Sequence, residues 1–205
     1  MGRYTGPKCK LARRIGMNLE LKGKRLEAEK CRGLDIPPGG RFRRSKLSAY
    51  GEQLLEKQKL KWFYGVMEAQ FRRYFHEAAK SKGSTGEALL LFFERRLDNV
   101  LFKLGWTLTR AQARQLIVHG HVNVGDRRCT IPSCRVSAGD VIRIRPAEKS
   151  QKYVRARIEE SRGRMVPAWL SGDNENLTAR VVNLPTREDV SLPVNEQLIV
   201  ELLSK

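Results

Sequence analysis

Long apolar runs are missing: the longest, Ala88 to Phe93, is six residues, against the roughly 20 that a helix needs to cross about 30 Å of bilayer hydrocarbon. A membrane-spanning helix is thereby excluded. Cysteine and histidine are scarce, four and three in 205 residues, which leaves little material for metal or nucleophile chemistry. The patterns G-x-x-x-x-G-K-[ST], G-x-S-x-G and H-E-x-x-H do not occur, and no paired carboxylates stand out. No enzymatic site is therefore expected. The opening Met1-Gly2-Arg3-Tyr4 turns basic at once, with no apolar signal core and no small-residue cleavage site after one. The expected location is the cytoplasm, where four cysteines are free thiols or metal ligands sooner than disulfides.

Acidic side chains are also outnumbered, 22 against 40 basic ones, leaving a net charge of +18. An excess this large calls for a polyanionic partner, nucleic acid or an anionic surface. The excess is uneven. Residues 1–46 hold fourteen basic and four acidic side chains, residues 47–85 seven and four, and residues 86–164 sixteen and eight. Residues 165–205 reverse the sign, with three basic and six acidic. A chain basic for most of its length and acidic at its end is expected to face RNA with one part and protein with the other.

With 40% hydrophobic residues, there is enough apolar material for one large core or two small ones. Residues 1–46 show no sustained apolar period and are rich in Gly, Pro, Lys and Arg, including Pro37-Pro38-Gly39-Gly40 before Arg41, Arg43 and Arg44. They read as an extended basic arm. Ser48 to Lys61 reads as a helix, and Met67, Phe71, Tyr74, Phe75 and Ala78 form one apolar helical face that leaves Arg72 and Arg73 outside it. Ser84-x-x-Glu87 is a capping box that opens one strong helix with Leu90, Phe93, Leu97, Val100, Leu101 and Leu104 inward, ended by Gly105. A second box, Thr109-x-x-Gln112, opens a short helix with Ala113, Leu116 and Ile117 on the core side and Arg110 and Arg114 on the exposed side. Those two guanidinium groups, four residues apart, either share an anionic ligand or are solvated. Asp98, on the helix before, is read as a cap or an ion-pair partner. After Gly120 the period becomes two. Val122 and Val124 point inward with His121 and Asn123 on the open face, and Ile142 and Ile144 point inward with Arg143 and Arg145 outward. Residues 146–168 are a linker or a helix from Tyr153 to Arg162, and Leu177 to Leu184 alternates weakly as a strand. Asn195 is an N-cap for a last short helix whose apolar stripe is Leu198, Ile199, Leu202 and Leu203. So short a helix must dock, and the domain holding Phe71, Tyr74 and Phe75 is the expected receiver.

Leu97-Asp98-Asn99-Val100, Thr109-Arg110-Ala111-Gln112-Ala113-Arg114-Gln115-Leu116-Ile117 and Gly120-His121-Val122-Asn123-Val124-Gly125 resemble the RNA-binding module named after ribosomal protein four. That module also occurs in pseudouridine synthases, a tyrosyl-tRNA synthetase and a heat-shock RNA-binding protein, so alone it implies only structured-RNA binding. The wider match is more specific. Met1-Gly2-Arg3-Tyr4-x-Gly6-Pro7, Arg13-Arg14-x-Gly16, Pro37-Pro38-Gly39, Glu56-Lys57-Gln58-Lys59-Leu60, Tyr64-Gly65, Gln70-Phe71-Arg72 and Asn195-Glu196-x-Leu198-Ile199-Val200-Glu201-Leu202 resemble, in order, the bacterial small-subunit ribosomal protein family of that number. A modification enzyme would need a further catalytic domain, and a heat-shock-type chaperone would lack the Tyr4-Gly6-Pro7 arm and the Leu198-Ile199-Val200-Glu201 ending.

The resemblance implies a structural constituent of the small ribosomal subunit, located there in the cytoplasm. It implies a primary binder of the five-prime domain of small-subunit rRNA that nucleates assembly and contributes to translational accuracy. The implied partners are that rRNA, the neighbouring proteins S-five and S-three, and messenger RNA near its entry path, with no membrane and no small-molecule substrate. The expected fold is α+β and mainly helical. A basic arm (1–46) precedes a discontinuous helical domain (47–94, completed by 165–205), with a small RNA-binding module of two helices and a sheet (95–164) inserted. Candidate RNA contacts are Arg3, Tyr4, Lys8, Arg13, Arg14, Arg41, Arg43 and Arg44 in the arm. Lys57, Lys61, Arg72 and Arg73 are candidates in the helical domain, and Arg110, Arg114, His121, Asn123 and Arg127 in the module. Some relatives bind zinc through C-x2-C and C-x4-C pairs, whose matching positions here are Cys9, Ala12, Leu26 and Cys31. Two of four donors are missing, so no metal and no cofactor is expected. Cys129 and Cys134 are read as small buried residues in a loop.

Overall fold

The computed structural model describes residues 4–23, 33, 34, 36–39, 47–161 and 164–204. In chain order the elements are α1 (Lys8–Ile15), α2 (Ala49–Phe63), α3 (Glu68–Ala79), α4 (Thr85–Glu94), α5 (Leu97–Lys103), α6 (Arg110–Val118), β1 (Val122–Val124), β2 (Arg127–Cys129), β3 (Val141–Ile144), α7 (Glu148–Glu160), β4 (Leu170–Asp173), β5 (Thr178–Val181) and α8 (Glu196–Leu203). The class is α+β. Two compact units divide the chain, one from Met1–Leu89 with Leu192–Lys205 and one from Leu90–Ser191, so the second is an insertion in the first.

In the first unit, α2 starts where the Ser48 hydroxyl accepts the Gly51 N–H at 3.2 Å. This satisfies one of the amides that a helix start leaves without a partner. The chain leaves α2 through Gly65, whose φ of +63° suits a residue without Cβ. On α3, Phe71, Tyr74, Phe75 and Ala78 are buried as their spacing demands, while Arg72 and Arg73 are exposed. The last helix does dock, and its partner is α2. Asn195 caps it by accepting the Gln197 N–H at 3.1 Å, the Glu56 carboxylate accepts the Asn195 N–H at 3.0 Å, and Gln53 donates to Glu201 at 2.9 Å. Ile199 is fully buried in the process. At α4, a Cβ on Gly86 would stand 2.7 Å from Glu196 Cγ, so the approach of α8 requires glycine there. The receiver is the expected one, the unit that holds Phe71, Tyr74 and Phe75, and within it α2 supplies the main contact.

The arm contains a helix that periodicity did not reveal. Leu11, Ala12 and Leu19 are buried, and α1 ends at Gly16 (φ +83°), whose N–H donates to Ala12 O at 2.8 Å. Half of α1 is lysine and arginine, Lys8, Lys10, Arg13 and Arg14, which leaves too few apolar positions for a stripe to stand out.

In the second unit, the sheet runs β2-β1-β3-β5-β4, antiparallel throughout. Its inward residues, Val122, Ile142, Ile144, Ala179 and Val181, meet Leu97, Val100, Leu101, Leu104, Ala113, Leu116 and Ile117 from α5 and α6, around the buried Trp106 and Trp169. Val124 is only half-buried but packs on the same core. Three expectations are corrected here. The single helix expected from Ser84 to Gly105 is two, because the backbone at Arg96 turns extended and bridges Arg135. The segment then gives its N–H groups to a loop, Leu97 to Cys134 O at 2.8 Å and Asp98 to Pro132 O at 3.2 Å. Helix α7 begins at Glu148, five residues before the expected start, and buries Ser150 and Val154. Residues 170–181, expected to complete the helical domain, belong to the second unit instead, where β5 lies within the strand expected from Leu177 to Leu184 and, with β4, extends the sheet from β3.

Candidate nucleic-acid interface

The helix pair α5 and α6 is built on a buried polar network. Asp98, 1% exposed, takes a forked pair of hydrogen bonds from Arg96, Nε to Oδ1 at 3.0 Å and Nη2 to Oδ2 at 2.7 Å. Arg114 donates to the same Oδ2 through Nε at 3.1 Å and Nη2 at 2.8 Å. Asn99 accepts from Arg110 Nε at 2.9 Å and donates to the Glu94 carboxylate at 2.7 Å. The Arg110 guanidinium lies 4.2 Å from the centroid of the Phe102 ring, and that of Arg164 lies 4.1 Å from it. Burying charge is costly unless it is paired and hydrogen-bonded, and here the Asp98 carboxylate accepts from Arg96 and Arg114 while Asn99 accepts from Arg110.

Arg110 and Arg114 were expected on the exposed side of α6, and this is corrected. Arg110 is 5% exposed, and the Arg114 side chain ends on the buried Asp98 carboxylate. Their four-residue spacing does place them on one face, but that face turns toward α5. Arg114 meets the Asp98 carboxylate, and Arg110 meets Asn99, which in turn donates to the Glu94 carboxylate. Asp98 is thus an ion-pair partner, as read from sequence.

Lys57 and Lys61 also have a partner within the fold. Both ammonium groups converge on Glu68, at 2.7 Å and 2.9 Å, and Lys57 is buried. Burial would raise the Glu68 carboxyl, but the hydrogen bonds and charges of the two lysines outweigh it and hold the group at about 2, against the ordinary 4.5. Of the other candidates, Arg14, Arg72, Arg73 and Arg127 are exposed, as is Tyr4. Lys8 and Arg13 are half-buried, with the Lys8 ammonium donating to Leu21 O at 3.4 Å. Arg3, Arg41, Arg43 and Arg44 lie outside the described residues.

His121 is half-buried and not fully on the open face, because Ser150 of α7 covers it, with Oγ 2.9 Å from Nδ1. Burial, and then the positive charges of His119, Arg128 and Arg145, push its imidazole below the usual value. A half-buried ring surrounded by cations marks this end of the sheet as electropositive. Asn123 beside it is half-buried. Arg128, Arg143, Arg145 and Arg180 are exposed and were not among the expected contacts. The alternation Val141-Ile142-Arg143-Ile144-Arg145 did point two of them outward. Arg128 and Arg180 needed the strand register.

Among the described residues, no group of three or more His, Cys, Asp and Glu side chains could hold a metal ion. Ala12, at one of the missing zinc-ligand positions, is fully buried, whereas Leu26 and Cys31 fall outside the described residues. Cys129 and Cys134 are half-buried against the core. Burial first, and the neighbouring Cys129, raise the Cys134 thiol to about 11. No helix among these residues is long and apolar enough to cross a membrane.

Residues 3–94 match the family described as "Ribosomal protein S4/S9 N-terminal domain", and residues 95–142 match the "S4 domain". The chain is 50% identical to the Small ribosomal subunit protein uS4 of Acidobacterium capsulatum, with 100% of both chains covered. It is 50% identical to the protein of that name from Dictyoglomus turgidum and 46% identical to that from Thermus thermophilus, again over the whole of each chain.

Proposed function

The chain belongs to the small ribosomal subunit protein uS4 family, and from this we infer that it is a structural, rRNA-binding constituent of the small ribosomal subunit. The observation that carries the inference is similarity from end to end, arm and C-terminal helix included, and not the S4 domain alone. The family is one of structural RNA-binding proteins, not enzymes.

In finer detail, the protein binds the five-prime domain of small-subunit rRNA early, helps nucleate assembly and contributes to decoding accuracy beside S5, S3 and the incoming messenger. The basic arm of residues 1–46 and the exposed arginines supply the phosphate contacts that fix a protein on folded RNA. The S4 module reads shape more than sequence, since the deep groove of A-form RNA is closed to side chains. Arg3, Tyr4, Lys8, Arg13, Arg14, Arg41, Arg43 and Arg44 are the proposed contacts of the arm, and Arg72, Arg73, Asn123 and Arg127 those beyond it. For Arg110, Arg114, Lys57 and Lys61 the proposal is an indirect one, support of the fold that presents the rest.

The test is filter binding of the purified protein to a small-subunit rRNA transcript, with sedimentation of a tagged copy in cells. Specific binding with a steep salt dependence, and co-migration with the small subunit, are expected. Indifference between that transcript and an unrelated RNA would overturn the proposal.

A further inference from the structure

The open face of the sheet in the second unit carries a row that crosses four strands. The register pairs Asn123 with Arg128 on one side and with Arg143 on the other, and pairs Arg143 with Thr178. The order across β2, β1, β3 and β5 is therefore Arg128, Asn123, Arg143, Thr178. Arg180 stands two residues along β5 from Thr178, on the same face, opposite Val141 and Ser171. The rows on either side of this one point inward and are apolar: Val122 with Ile144, and Val124 with Ile142 and Ala179. Alternation thus fixes which side chains leave the core.

An antiparallel sheet often shows water a polar face, so polarity alone would mean nothing. The pattern is more particular. Like charges directly opposite each other on neighbouring strands are destabilising, and here a neutral side chain that can donate a hydrogen bond follows each arginine across the strands. With strands about 4.8 Å apart, Arg128 and Arg143 rise roughly 10 Å from each other. Two carboxylates border the row, one at each side. Asp126, fully exposed in the β1–β2 turn, reaches Arg143 at 3.6 Å, and Asp173 on the edge strand β4, paired with Thr178 in the register, closes the row at its far end. Among the described residues, Arg128, Arg145 and Arg180 form no ion pair. Arg128 is also held in place: its guanidinium lies against Gly120, where any Cβ would collide with it, and donates to His119 O at 3.3 Å.

We propose that this face, through Arg128, Arg143 and Arg180 with Asn123 and Thr178 between them, is a binding surface for the RNA sugar-phosphate backbone. It extends past the segment matched as the S4 domain, which ends at residue 142. The planar guanidinium fork suits a phosphate in two-point contact. A protein partner fits the face less well, because its outward positions are mostly arginine and small polar side chains and offer no aromatic anchor. The proposal rests on the uS4 assignment, and the two can fail separately.

The experiment compares wild type with the triple variant Arg128→Gln, Arg143→Gln, Arg180→Gln on a small-subunit rRNA transcript, from about 50 to about 300 mM salt. Every phosphate that the variant no longer neutralises should reduce the log-log salt slope by about 0.7 to 0.9, so a fall of about 2 to 3 is expected, with affinity lower by about tenfold per arginine at low salt. Unaltered affinity and slope in a folded variant would overturn the surface while leaving the family assignment intact. Failure of the wild type to prefer the transcript would instead strike the assignment. Asp126→Asn guards against a variant that does not fold. It removes an exposed carboxylate that competes for Arg143, so affinity should rise about threefold, and no rise would also count against the proposal.

Discussion

Arg96, Arg110 and Arg114 point into the protein, and Arg128, Arg143 and Arg180 point out of it, though all six belong to the same unit and contribute equally to the net charge. In the inward set Arg96 and Arg114 both meet Asp98, and Arg110 meets Asn99 and the Phe102 ring. Among the described residues, the outward set makes a single ion pair, Arg143 with the exposed Asp126. The difference lies in what each guanidinium can do. A paired, desolvated arginine is spent on holding α5 against α6, whereas a solvated one is available to a ligand. Net charge identifies the class of partner, but only partners within the fold decide which charges meet it.

The largest effect should follow from removing the anion at the centre of the inward set. Asp98→Ala leaves Arg96 buried without its counter-charge and strips Arg114 of its acceptor. Breaking a buried pair on one side costs about 3–5 kcal/mol, and urea unfolding monitored by circular dichroism measures it. A loss under about 1 kcal/mol would mean that solvent reaches the site and that the network is not a structural core.

The sharpest contrast pairs one arginine from each set. Arg110→Ala should destabilise by about 2–4 kcal/mol, through the charged hydrogen bond to Asn99 and the stacking on Phe102. Arg143→Ala should change stability by no more than about 0.5 kcal/mol and weaken RNA binding about tenfold. Equal behaviour of the two variants in thermal unfolding and in transcript binding would erase the distinction.

The sequence shows part of this and hides part for a definable reason. Caps were legible because they are local: Ser84, Thr109 and Asn195 each accept an N–H two or three residues on. The sheet near β1 and β3 was legible from alternation, and Asp98 as a cap or ion-pair partner on its helix. The break at Arg96 was not, since Phe93 and Leu97 keep the helical spacing across it and the bridge to Arg135 comes from far along the chain. Strand β4, Leu170-Ser171-Gly172-Asp173, buries one residue in four and has no pattern to read. For Arg110 and Arg114 the shared face was legible, but its direction depends on α5, and spacing says nothing about a neighbouring helix.

The first unit holds a paired charge of intermediate burial. Glu68 holds Lys57 and Lys61 with its carboxyl at about 2 in place of 4.5. Its depressed value means that the stabilisation is complete above about 4.5, the unfolded value, and is lost as the pH falls toward about 2. Glu68→Gln should therefore be less stable than wild type near neutrality, with the gap closing in acid. A gap that persists unchanged at the acid end would show that the lysines do not act through the carboxylate charge.

The smallest effect concerns His121, where the outward cations meet a titratable ring. Burial and the charges of His119, Arg128 and Arg145 lower its value in the folded protein relative to the ordinary 6.5. Above 6.5 both folded and unfolded rings are neutral, and as the pH falls through 6.5 the unfolded chain takes up its proton first, so stability falls with the pH. An RNA backbone laid over Arg128 and Arg145 reverses the local field, because phosphates offset the cations that hold the ring neutral. Binding should then draw a proton onto His121, and affinity for the rRNA transcript should rise by a fewfold between about pH 8 and about pH 6. His121→Gln should lose most of that rise, while His119→Gln, at an exposed neighbour 6.1 Å away ring to ring, should keep it. Ser150→Ala serves as a second check, since it frees Nδ1 of its hydroxyl partner without altering charge. The same pH dependence in His121→Gln as in wild type would remove His121 from the RNA-facing end of the sheet and leave it a structural residue between β1 and α7.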